Sequence, residues 1–254
     1  MRKLAVHYLP QFVPESELAG STVVVVDLLR ASSTICQALA AGARCVVPCL
    51  EIDETLAKAQ SYSRDEIVLG GERGGRQIEG FDLGNSPGEY SADRVYGRRV
   101  LFTTTNGTKA LSHARLASRV MIGAAVNRQA LVEAIAAEAR IDILCAGTNG
   151  QVTREDLLAA GAICDALLSL DAVEHWETNE WAQAVLAEWQ ELKTLAGSVG
   201  NHVSEQLALE LRSTPGGKNL LALDYDSDLV LCSQLDTLDV VPELDPATGE
   251  LRLR

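Results

Sequence analysis

A short run of β-branched residues, TVVVV at positions 22–26, constrains the fold of this chain more than any other feature. A strand with apolar side chains on both faces must be covered on both faces, which is typical of a parallel sheet between layers of helices. The residues from Ser32 to Ala41 then have the pattern of a helix, with Ser32 or Ser33 available as its N-cap. This first strand–helix pair indicates an α/β protein.

The alternation of strands and helices continues along the chain. We predict further strands at Arg44–Pro48, Glu66–Leu69, Arg99–Thr103, Arg119–Ile122 and Ile141–Ala146, and a last strand in LDVVPEL at 238–244. We predict further helices at Ile52–Tyr62, Thr108–Ala117, Arg128–Arg140 and Glu155–Leu170. This pattern predicts a three-layer α/β/α fold with a largely parallel or mixed sheet.

Length and composition fit a single domain over residues 1–254. The chain is 47% hydrophobic, which is sufficient for one substantial core. The segment Asp171–Leu211 differs from the rest because it is acidic, helical in pattern and contains all three tryptophans. We expect it to form an outer or lid segment.

Two similar stretches suggest an internal repeat. Ala38–Cys45 resembles Leu157–Cys164, and the tripeptide Thr-Asn-Gly occurs at Thr105–Gly107 and again at Thr148–Gly150. One interpretation is a pair of related βα halves that face each other around one site. The other is a chance similarity between Ala-rich helices.

The charge balance excludes some classes of partner. The chain has 22 Lys and Arg against 35 Asp and Glu, a net charge of -13. A protein that binds duplex nucleic acid normally has a basic face, so we expect no nucleic acid partner, and no anionic membrane partner for the same reason. The apolar runs are also shorter than a membrane span or a signal peptide requires. We therefore expect a cytoplasmic protein.

The cysteines and histidines do not suggest a metal or redox centre. The six cysteines form no CxxC pair and lie mostly in apolar segments, as reduced core residues do in a cytosolic protein. Cys145 precedes a Gly-Thr-Asn-Gly turn, so a nucleophilic role is a minor alternative for it. The four histidines are dispersed, with no spacing typical of zinc ligands.

The stretch from Gly70 to Pro87, GGERGGRQIEGFDLGNSP, has the composition of an anion-binding loop. Glycine permits turns and close approach of the backbone to a ligand, and arginine binds phosphate or carboxylate in two-point contacts. Glu72 lies between the glycines and is a candidate metal ligand. A solvated cluster of turns is the alternative, and one of Arg73 and Arg76 is expected to face solvent.

Three more polar loops follow predicted strands. Ligands in open α/β sheets bind at the carboxyl ends of the strands, so all four loops are candidates for one site. The other three are residues 27–34, 103–109 and 145–156. Asp27 closes a buried strand and needs compensation from a cation or an arginine; a pair with Arg30, with Ser32 serving only as a cap, is the alternative. Thr153 and Asp156 resemble a capping box, and Glu155 or Asp156 could instead complete a carboxylate cluster.

Several carboxylates that converge with amide and hydroxyl groups favour Mg²⁺, a hard cation that prefers oxygen ligands. Its candidate ligands are Asp27 and Glu72, together with Glu155 or Asp156. The substrate would then be an anion, which an acidic protein can bind only if the site supplies its own positive field.

Five stretches now identify a family. In order they are TVVVVDLLRASSTICQAL, LGGERGGRQIEGFDLGNSPGEY, LFTTTNGTKAL, CAGTNGQVTREDLLAAGAICDAL and LDVVPEL. Together they resemble the 2-phosphosulfolactate phosphatase family, also called ComB, from about Val23 to Leu244. The resemblance implies a three-layer α/β/α fold and Mg²⁺-dependent hydrolysis of (R)-2-phospho-3-sulfolactate to 3-sulfolactate and phosphate, a step toward coenzyme M.

The resemblance leads to a mechanistic hypothesis. Asp27, Glu72 and Asp156 hold the metal, and Arg30 and Arg73 bind the anionic groups. The predicted catalytic residues are Asp27, Glu72, Arg30 and Arg73. The predicted substrate-binding residues are Ser32, Ser33, Asn85, Ser86, Thr103, Thr104, Thr105, Asn106, Gly107, Gly147 and Thr148. Either water or Asp27 attacks phosphorus. The alternatives are a phosphatase for another small phosphorylated hydroxy acid and an anion-binding protein without catalysis. The sequence leaves the oligomeric state open, a homodimer included.

Overall fold

The computed structural model describes residues 1–170 and 176–253. Within those residues eleven strands form one mixed sheet. The strands are β1 (Arg2–His7), β2 (Thr22–Val26), β3 (Cys45–Pro48), β4 (Ile67–Arg73), β5 (Arg76–Gln77), β6 (Arg99–Thr103), β7 (Arg119–Gly123), β8 (Arg140–Cys145), β9 (Trp176–Thr178), β10 (Pro242–Asp245) and β11 (Glu250–Leu253).

The sheet consists of two parallel blocks joined by a hairpin. Its strand order is β5-β4-β6-β3-β11-β10-β7-β2-β8-β1-β9. Strands β3, β4 and β6 are parallel to one another, and so are β7, β2, β8, β1 and β9. The β10–β11 hairpin pairs antiparallel to both blocks. Three antiparallel pairings, β3–β11, β11–β10 and β10–β7, therefore join the two blocks.

Helices cover the sheet. They are α1 (Ala31–Ala40), α2 (Ile52–Ala59), α3 (Ala92–Val95), α4 (Gly107–His113), α5 (Arg128–Ile135), α6 (Arg154–Leu170), α7 (Glu180–Val199), α8 (Val203–Ser213), α9 (Pro215–Ala222) and α10 (Asp226–Ser233). On β3, Cys45 and Val47 belong to one apolar core and Val46 to another. Because side chains alternate between the faces of a strand, the two cores lie on opposite sides of the sheet. The predicted α/β/α fold is confirmed.

The predicted central elements are present with small shifts at their ends. Strand β2 is buried at every position, as its β-branched run predicts. Helix α5 ends at Ile135, earlier than predicted, and α4 ends at His113. The strand predicted at 238–244 is β10 and begins only at Pro242, and the short strands β1, β5, β9 and β11 are not indicated by the sequence pattern.

The glycine-rich stretch is a strand and a hairpin at its start, where the sequence predicts a loop. Strand β4 continues through Gly70 and Gly71 to Arg73, and Gly74 and Gly75 form the turn to β5. Both glycines of the strand are buried because neighbours come close. A side chain at Gly70 would collide with the Tyr90 hydroxyl, and one at Gly71 with the Thr103 carbonyl oxygen. The glycines therefore permit close packing between β4 and β6.

The similar stretches do not mark equivalent positions. Ala38–Cys45 runs from the end of α1 into β3, and Gly42 has a φ of 88° there. Leu157–Cys164 lies wholly inside α6, where Gly161 lets the backbone of α7 pack closely at Val185. The similarity of the two stretches is therefore one of composition, and their places in the fold differ.

The segment predicted as an outer or lid element is helical where it is described. Residues 171–175 lie outside the described residues. Helix α7 packs along α6, and α8 packs against α7. Trp189 of α7 is fully buried and donates to Asp165 of α6 at 3.2 Å. Over the described ranges 1–170 and 176–253, every helix is too short or too polar to cross a membrane.

Candidate functional site

A cavity of about 360 Å³ lies where loops of both parallel blocks meet. The first block contributes Glu72 at the end of β4 and Thr105 after β6. The second contributes Asp27 after β2 and Thr148 after β8. The structure thus brings the four predicted loops together. The full lining is Asp27, Leu29, Arg30, Glu72, Gly74, Gly75, Asn85, Thr105, Asn106, Thr148, Asn149, Pro215, Gly216, Asn219 and Leu220.

Asp27 lines the cavity and is 9% exposed. Its backbone N–H donates to the Ser32 hydroxyl at 2.9 Å, and the Ser32 N–H donates to its carbonyl oxygen at 2.9 Å. Its carboxylate accepts a hydrogen bond from the Ala31 backbone. Gly107, at the start of α4, faces this carboxylate: a Cβ there would lie 2.8 Å from Asp27 Oδ2. The Ser32 hydroxyl therefore fixes the Asp27 backbone and does not line the cavity.

Burial and neighbouring carboxylates control the protonation of Asp27. Burial raises the pKa of Asp27 well above its ordinary value, and the charges of Asp156 and Glu72 raise it further. Burial also raises the pKa of Asp156 to about 7. Asp156 accepts more hydrogen bonds than Asp27, and such bonds favour the ionised form. Of the two, Asp27 is therefore the carboxyl that holds a proton more readily while the cavity contains no positive charge.

Glu72 joins two of the loops. Its Oε1 accepts from both the backbone N–H and the hydroxyl of Thr105, at 2.8 and 2.9 Å. Its Oε2 accepts from the Gly75 N–H at 2.7 Å. The side chain is 7% exposed, so its charge is stabilised chiefly by these donors. Glu72 therefore orders the glycine turn and the start of the α4 loop while it lines the cavity.

Arg30 also lines the cavity, and its partner is Asp228. The guanidinium Nη1 donates to Asp228 Oδ2 at 2.6 Å, and Nη2 donates to the Gly75 carbonyl at 2.7 Å. The guanidinium carbon lies 4.4 Å from the centre of the Tyr225 ring. Arg30 therefore forms its ion pair with Asp228. The alternative, an ion pair between Arg30 and Asp27, is wrong.

Two predicted residues at the first block have other contacts. The Arg73 guanidinium donates to the Thr103 hydroxyl at 3.0 Å and to the carbonyl oxygens of Glu72 and Leu50 at 2.8 and 3.2 Å. Neither Arg73 nor Thr103 lines the cavity. Arg73 therefore contacts the protein around Glu72 and does not line the cavity. Arg76, on β5, is exposed.

Several residues predicted to bind substrate hold the loops in place and do not line the cavity. The Ser86 hydroxyl donates to Asp228 Oδ1 at 2.6 Å, and the Ser33 hydroxyl donates to the Leu28 carbonyl at 3.1 Å. Thr104 is buried, and its hydroxyl has no hydrogen-bond partner. Gly147 has a φ of 64°, and its backbone N–H donates to Asp156. These residues shape the loops, and the cavity is lined by their neighbours.

The Asp156 carboxylate connects the loop after β2 to the loop after β8. Its Oδ1 accepts from the Leu28 N–H at 2.8 Å, and its Oδ2 accepts from the Gly147 N–H at 2.9 Å and the Thr153 hydroxyl at 3.1 Å. It is 2% exposed and lies outside the cavity lining. The Thr153 bond joins a hydroxyl to a carboxylate, so it is not one of the side-chain to backbone bonds that define a capping box. Asp156 does not line the cavity, although its charge acts on Asp27.

One wall of the cavity comes from a region to which the sequence assigns no site residue. Helix α9 begins at Pro215, capped by the Thr214 hydroxyl, and places Gly216 and Asn219 at the cavity. The Gly216 N–H donates to Glu155 Oε1 at 3.1 Å. The Thr-Pro-Gly-Gly sequence is a helix start that the pattern alone could locate, since Thr favours the cap and Pro the first turn. The start of α9 lies near the glycine turn, which is 140 residues away in the chain. The local sequence gives no indication of this contact.

The oxygen groups around Asp27 fit a magnesium ion. Asn85 is 4% exposed and lines the cavity, and its Oδ1 has no hydrogen-bond partner. Among residues 1–170 and 176–253, no three His, Cys, Asp or Glu side chains form a cluster that could hold a metal. Mg²⁺ commonly takes only one or two protein carboxylates, with water and substrate phosphate. Asp27 and Glu72 supply that number, and the Asn85 oxygen is a further ligand of the right kind.

The buried thiols do not add a nucleophile to the site. All six cysteines are buried and free. Burial raises the pKa of Cys145 well above its ordinary value, and the charge of Asp156 adds to the effect. A thiol that resists ionisation is a poor nucleophile. Cys145 is therefore a core residue in this structure.

Comparison with known proteins identifies the family of this chain. The family model described as 2-phosphosulpholactate phosphatase matches residues 7–246. A protein of Symbiobacterium thermophilum named a probable 2-phosphosulfolactate phosphatase is 40% identical over 230 residues, which cover 90% of this chain and 93% of that one. Proteins with the same name from a Synechococcus species and from Caldanaerobacter subterraneus are 36% and 34% identical, over 99% and 91% of each chain. The chain belongs to the 2-phosphosulfolactate phosphatase family.

Proposed function

We propose that this protein hydrolyses (R)-2-phospho-3-sulfolactate to 3-sulfolactate and phosphate in the presence of Mg²⁺. The reaction is of the kind that leads toward coenzyme M. Membership of the family and the names of the relatives support a phosphoric monoester hydrolase with this substrate. Six free buried cysteines fit a reducing compartment, so we propose the cytoplasm as its location.

One observation carries the proposal. The buried carboxylates of Asp27 and Glu72 line the same cavity as the buried guanidinium of Arg30. The substrate has a phosphate, a carboxylate and a sulfonate, which two carboxylates would repel. A cation between carboxylates and phosphate removes that repulsion, and the arginine supplies donors for an anionic group.

Asp27, Glu72 and Asn85 are the residues that would hold Mg²⁺. When bound, the ion would neutralise charge on the phosphate oxygens and lower the pKa of a water molecule. Positive charge in the cavity also favours the ionised form of Asp27, since the pKa of this carboxyl is raised by burial and by negative neighbours.

The residues of the chain then have separate tasks. The N–H groups of Arg30 that Asp228 and Gly75 do not occupy can donate to an anionic group of the substrate. Asn106, Thr148 and Asn219 offer neutral donors around the cavity. An ionised Asp27 either attacks phosphorus or assists the attack of water. In the first route the ester P–O bond breaks, 3-sulfolactate leaves, and water then hydrolyses the acyl phosphate to phosphate and the free carboxylate. Trapping of an acyl phosphate distinguishes the two routes.

The test is a phosphate-release assay with the purified protein and 2-phospho-3-sulfolactate. We expect release with Mg²⁺, loss of release with EDTA, and recovery when Mg²⁺ is added again. 2-Phospholactate, which lacks the sulfonate, is the matched control substrate. Faster release from 2-phospholactate would assign the protein to another phosphorylated hydroxy acid. Binding of both compounds without release from either would make it an anion-binding protein.

The Asp27→Asn variant tests the assignment of the site in the same assay. Asparagine has nearly the same shape, so we expect a folded protein with no turnover. Near-normal turnover of the variant would contradict the proposed role of Asp27.

A further inference from the structure

The arginine of the cavity is held by a carboxylate that lies outside it. Arg30 is 2% exposed and Asp228 is fully buried. Their shortest contact, Nη1 to Oδ2, is 2.6 Å. Asp228 lies in the first turn of α10, almost 200 residues after Arg30 in the chain. A buried ion pair of this kind contributes little net stability, so its geometry calls for another explanation.

Asp228 is itself fixed at both oxygens. Oδ2 accepts from Arg30, and Oδ1 accepts from the Ser86 hydroxyl at 2.6 Å. Ser86 follows Asn85, a buried residue that lines the cavity. One carboxylate therefore connects the Arg30 loop, the end of the glycine-rich stretch and α10.

The guanidinium has two further restraints. Nη2 donates to the Gly75 carbonyl at 2.7 Å, and the Tyr225 ring lies against the guanidinium plane with 4.4 Å between the guanidinium carbon and the ring centre. These contacts hold Nη1, Nη2 and one face of the guanidinium, and Arg30 itself lines the cavity. A planar group held in this way loses less freedom when it binds an anion.

We propose that Asp228 is a positioning residue that directs Arg30 toward the substrate. The inference rests on the proposed function, since it assigns Arg30 to an anionic group of the substrate. The Arg30–Asp228 pair is neutral as a whole, so Arg30 contributes oriented N–H donors more than net charge. The cation that neutralises the substrate must therefore come from elsewhere in the cavity.

Two substitutions separate position from charge. Asp228→Asn and Asp228→Ala both remove the negative charge, but only asparagine keeps an oxygen in place for Arg30. We expect KM for the phosphorylated substrate to be at least about tenfold higher in Asp228→Ala than in Asp228→Asn, since a hydrogen bond to a charged group is lost only in the alanine variant. The value of kcat should differ less. Equal KM values in the two variants would contradict the proposal.

A double-mutant cycle excludes a general structural effect. In an Arg30→Met background, exchange of alanine for asparagine at 228 should no longer change KM. A difference that persists there would show that Asp228 acts through something other than Arg30 and would overturn the inference. Circular dichroism and thermal unfolding confirm that each variant is folded. Should Asp228→Ala not fold, Ser86→Ala is the milder test, because it removes the second contact of Asp228 and should raise KM by a smaller factor; an unchanged KM would count against the proposal.

The same variants separate this inference from the proposed function. If the wild-type protein releases no phosphate with Mg²⁺, the proposed function fails, and the dissociation constant of inorganic phosphate with Mg²⁺ replaces KM as the readout. Weaker binding in Asp228→Ala than in Asp228→Asn would then still support the positioning of Arg30. Equal binding would contradict it.

Discussion

Thr105 gives both of its polar hydrogens to one oxygen of Glu72. The backbone N–H and the hydroxyl lie 2.8 and 2.9 Å from Oε1, and the Gly75 N–H lies 2.7 Å from Oε2. The carboxylate can accept about four hydrogen bonds, so these three leave room for a further interaction on the cavity side. Glu72 is thus both a wall of the cavity and the connection between two of its loops.

Substitution of Glu72 by glutamine should therefore affect both activity and order. The amide has one oxygen and cannot accept from Thr105 and Gly75 in the present arrangement. We expect kcat/KM to fall about 10- to 100-fold, the range found when groups that orient a metal site are lost. The melting temperature should also fall. Phosphate release and thermal unfolding measure the two effects.

Glu79→Gln is the matched control for this prediction. Glu79 belongs to the same glycine-rich stretch, is exposed and lies outside the cavity. The Glu79→Gln substitution should leave kcat/KM and the melting temperature unchanged. A Glu72→Gln variant that behaves like the control would show that the three hydrogen bonds are dispensable.

The central strands were predictable because their signal is local. A β-branched run such as 22–26 has few alternatives to a buried strand, and Arg99–Thr103 is found at the predicted bounds. The prediction was wrong for the start of the glycine-rich stretch, because it treated glycine as a loop residue. The reason for those glycines is the proximity of Tyr90 and the Thr103 carbonyl, which the local sequence does not show.

The site was predictable as a set of loops and less so as a set of side chains. Asp27, Glu72 and Asn85 line the cavity because each lies near the carboxyl end of a strand or the loop that follows it. Arg73, Ser86 and Asp156 look equivalent in the sequence, but their hydrogen bonds turn them toward the protein. The contribution of α9 depends on contacts between distant parts of the chain.

The raised pKa of Asp27 predicts how stability depends on pH. An unfolded Asp titrates near 3.8, and burial raises this pKa in the folded protein. Above 3.8 and below the folded pKa, the native protein keeps a proton that the unfolded chain has released. The free energy of unfolding in EDTA should therefore fall as the pH rises through this range.

Asp27→Asn removes this titration. Its free energy of unfolding should decline less between pH 5 and pH 8 than that of the wild type, because only the wild type has the Asp27 carboxyl with its raised pKa. Urea unfolding at the two pH values in EDTA measures the difference. Asp53→Asn, at an exposed position of α2, is the control and should follow the wild type. If the free energy of unfolding of Asp27→Asn declines as much as that of the wild type, groups other than Asp27 cause the pH dependence.

Asp156 should matter for stability more than for metal binding. Both of its oxygens are occupied by Leu28, Gly147 and Thr153, so an amide in its place leaves at least one buried donor without a partner. We expect Asp156→Asn to lose about 1–3 kcal/mol in the free energy of unfolding. Calorimetry should find its Mg²⁺ affinity close to that of the wild type and that of Asp27→Asn much weaker. Equal losses of Mg²⁺ affinity in Asp156→Asn and Asp27→Asn would indicate that Asp156 is also a metal ligand.

Gly107 should be required for the position of Asp27. A methyl group at 107 would lie 2.8 Å from Asp27 Oδ2 and 2.8 Å from the Ala31 Cβ, so one of them must move. We expect Gly107→Ala to lower kcat/KM by about 100-fold, since a displacement of about 1 Å at a reacting group can have an effect of that size. In α7, Gly197 has no atom within 4 Å of the corresponding position, and Gly197→Ala should leave activity unchanged and raise the melting temperature slightly. If Gly107→Ala keeps full activity while it remains folded, the carboxylate of Asp27 does not need its present position, and its role at the centre of the cavity would have to be abandoned.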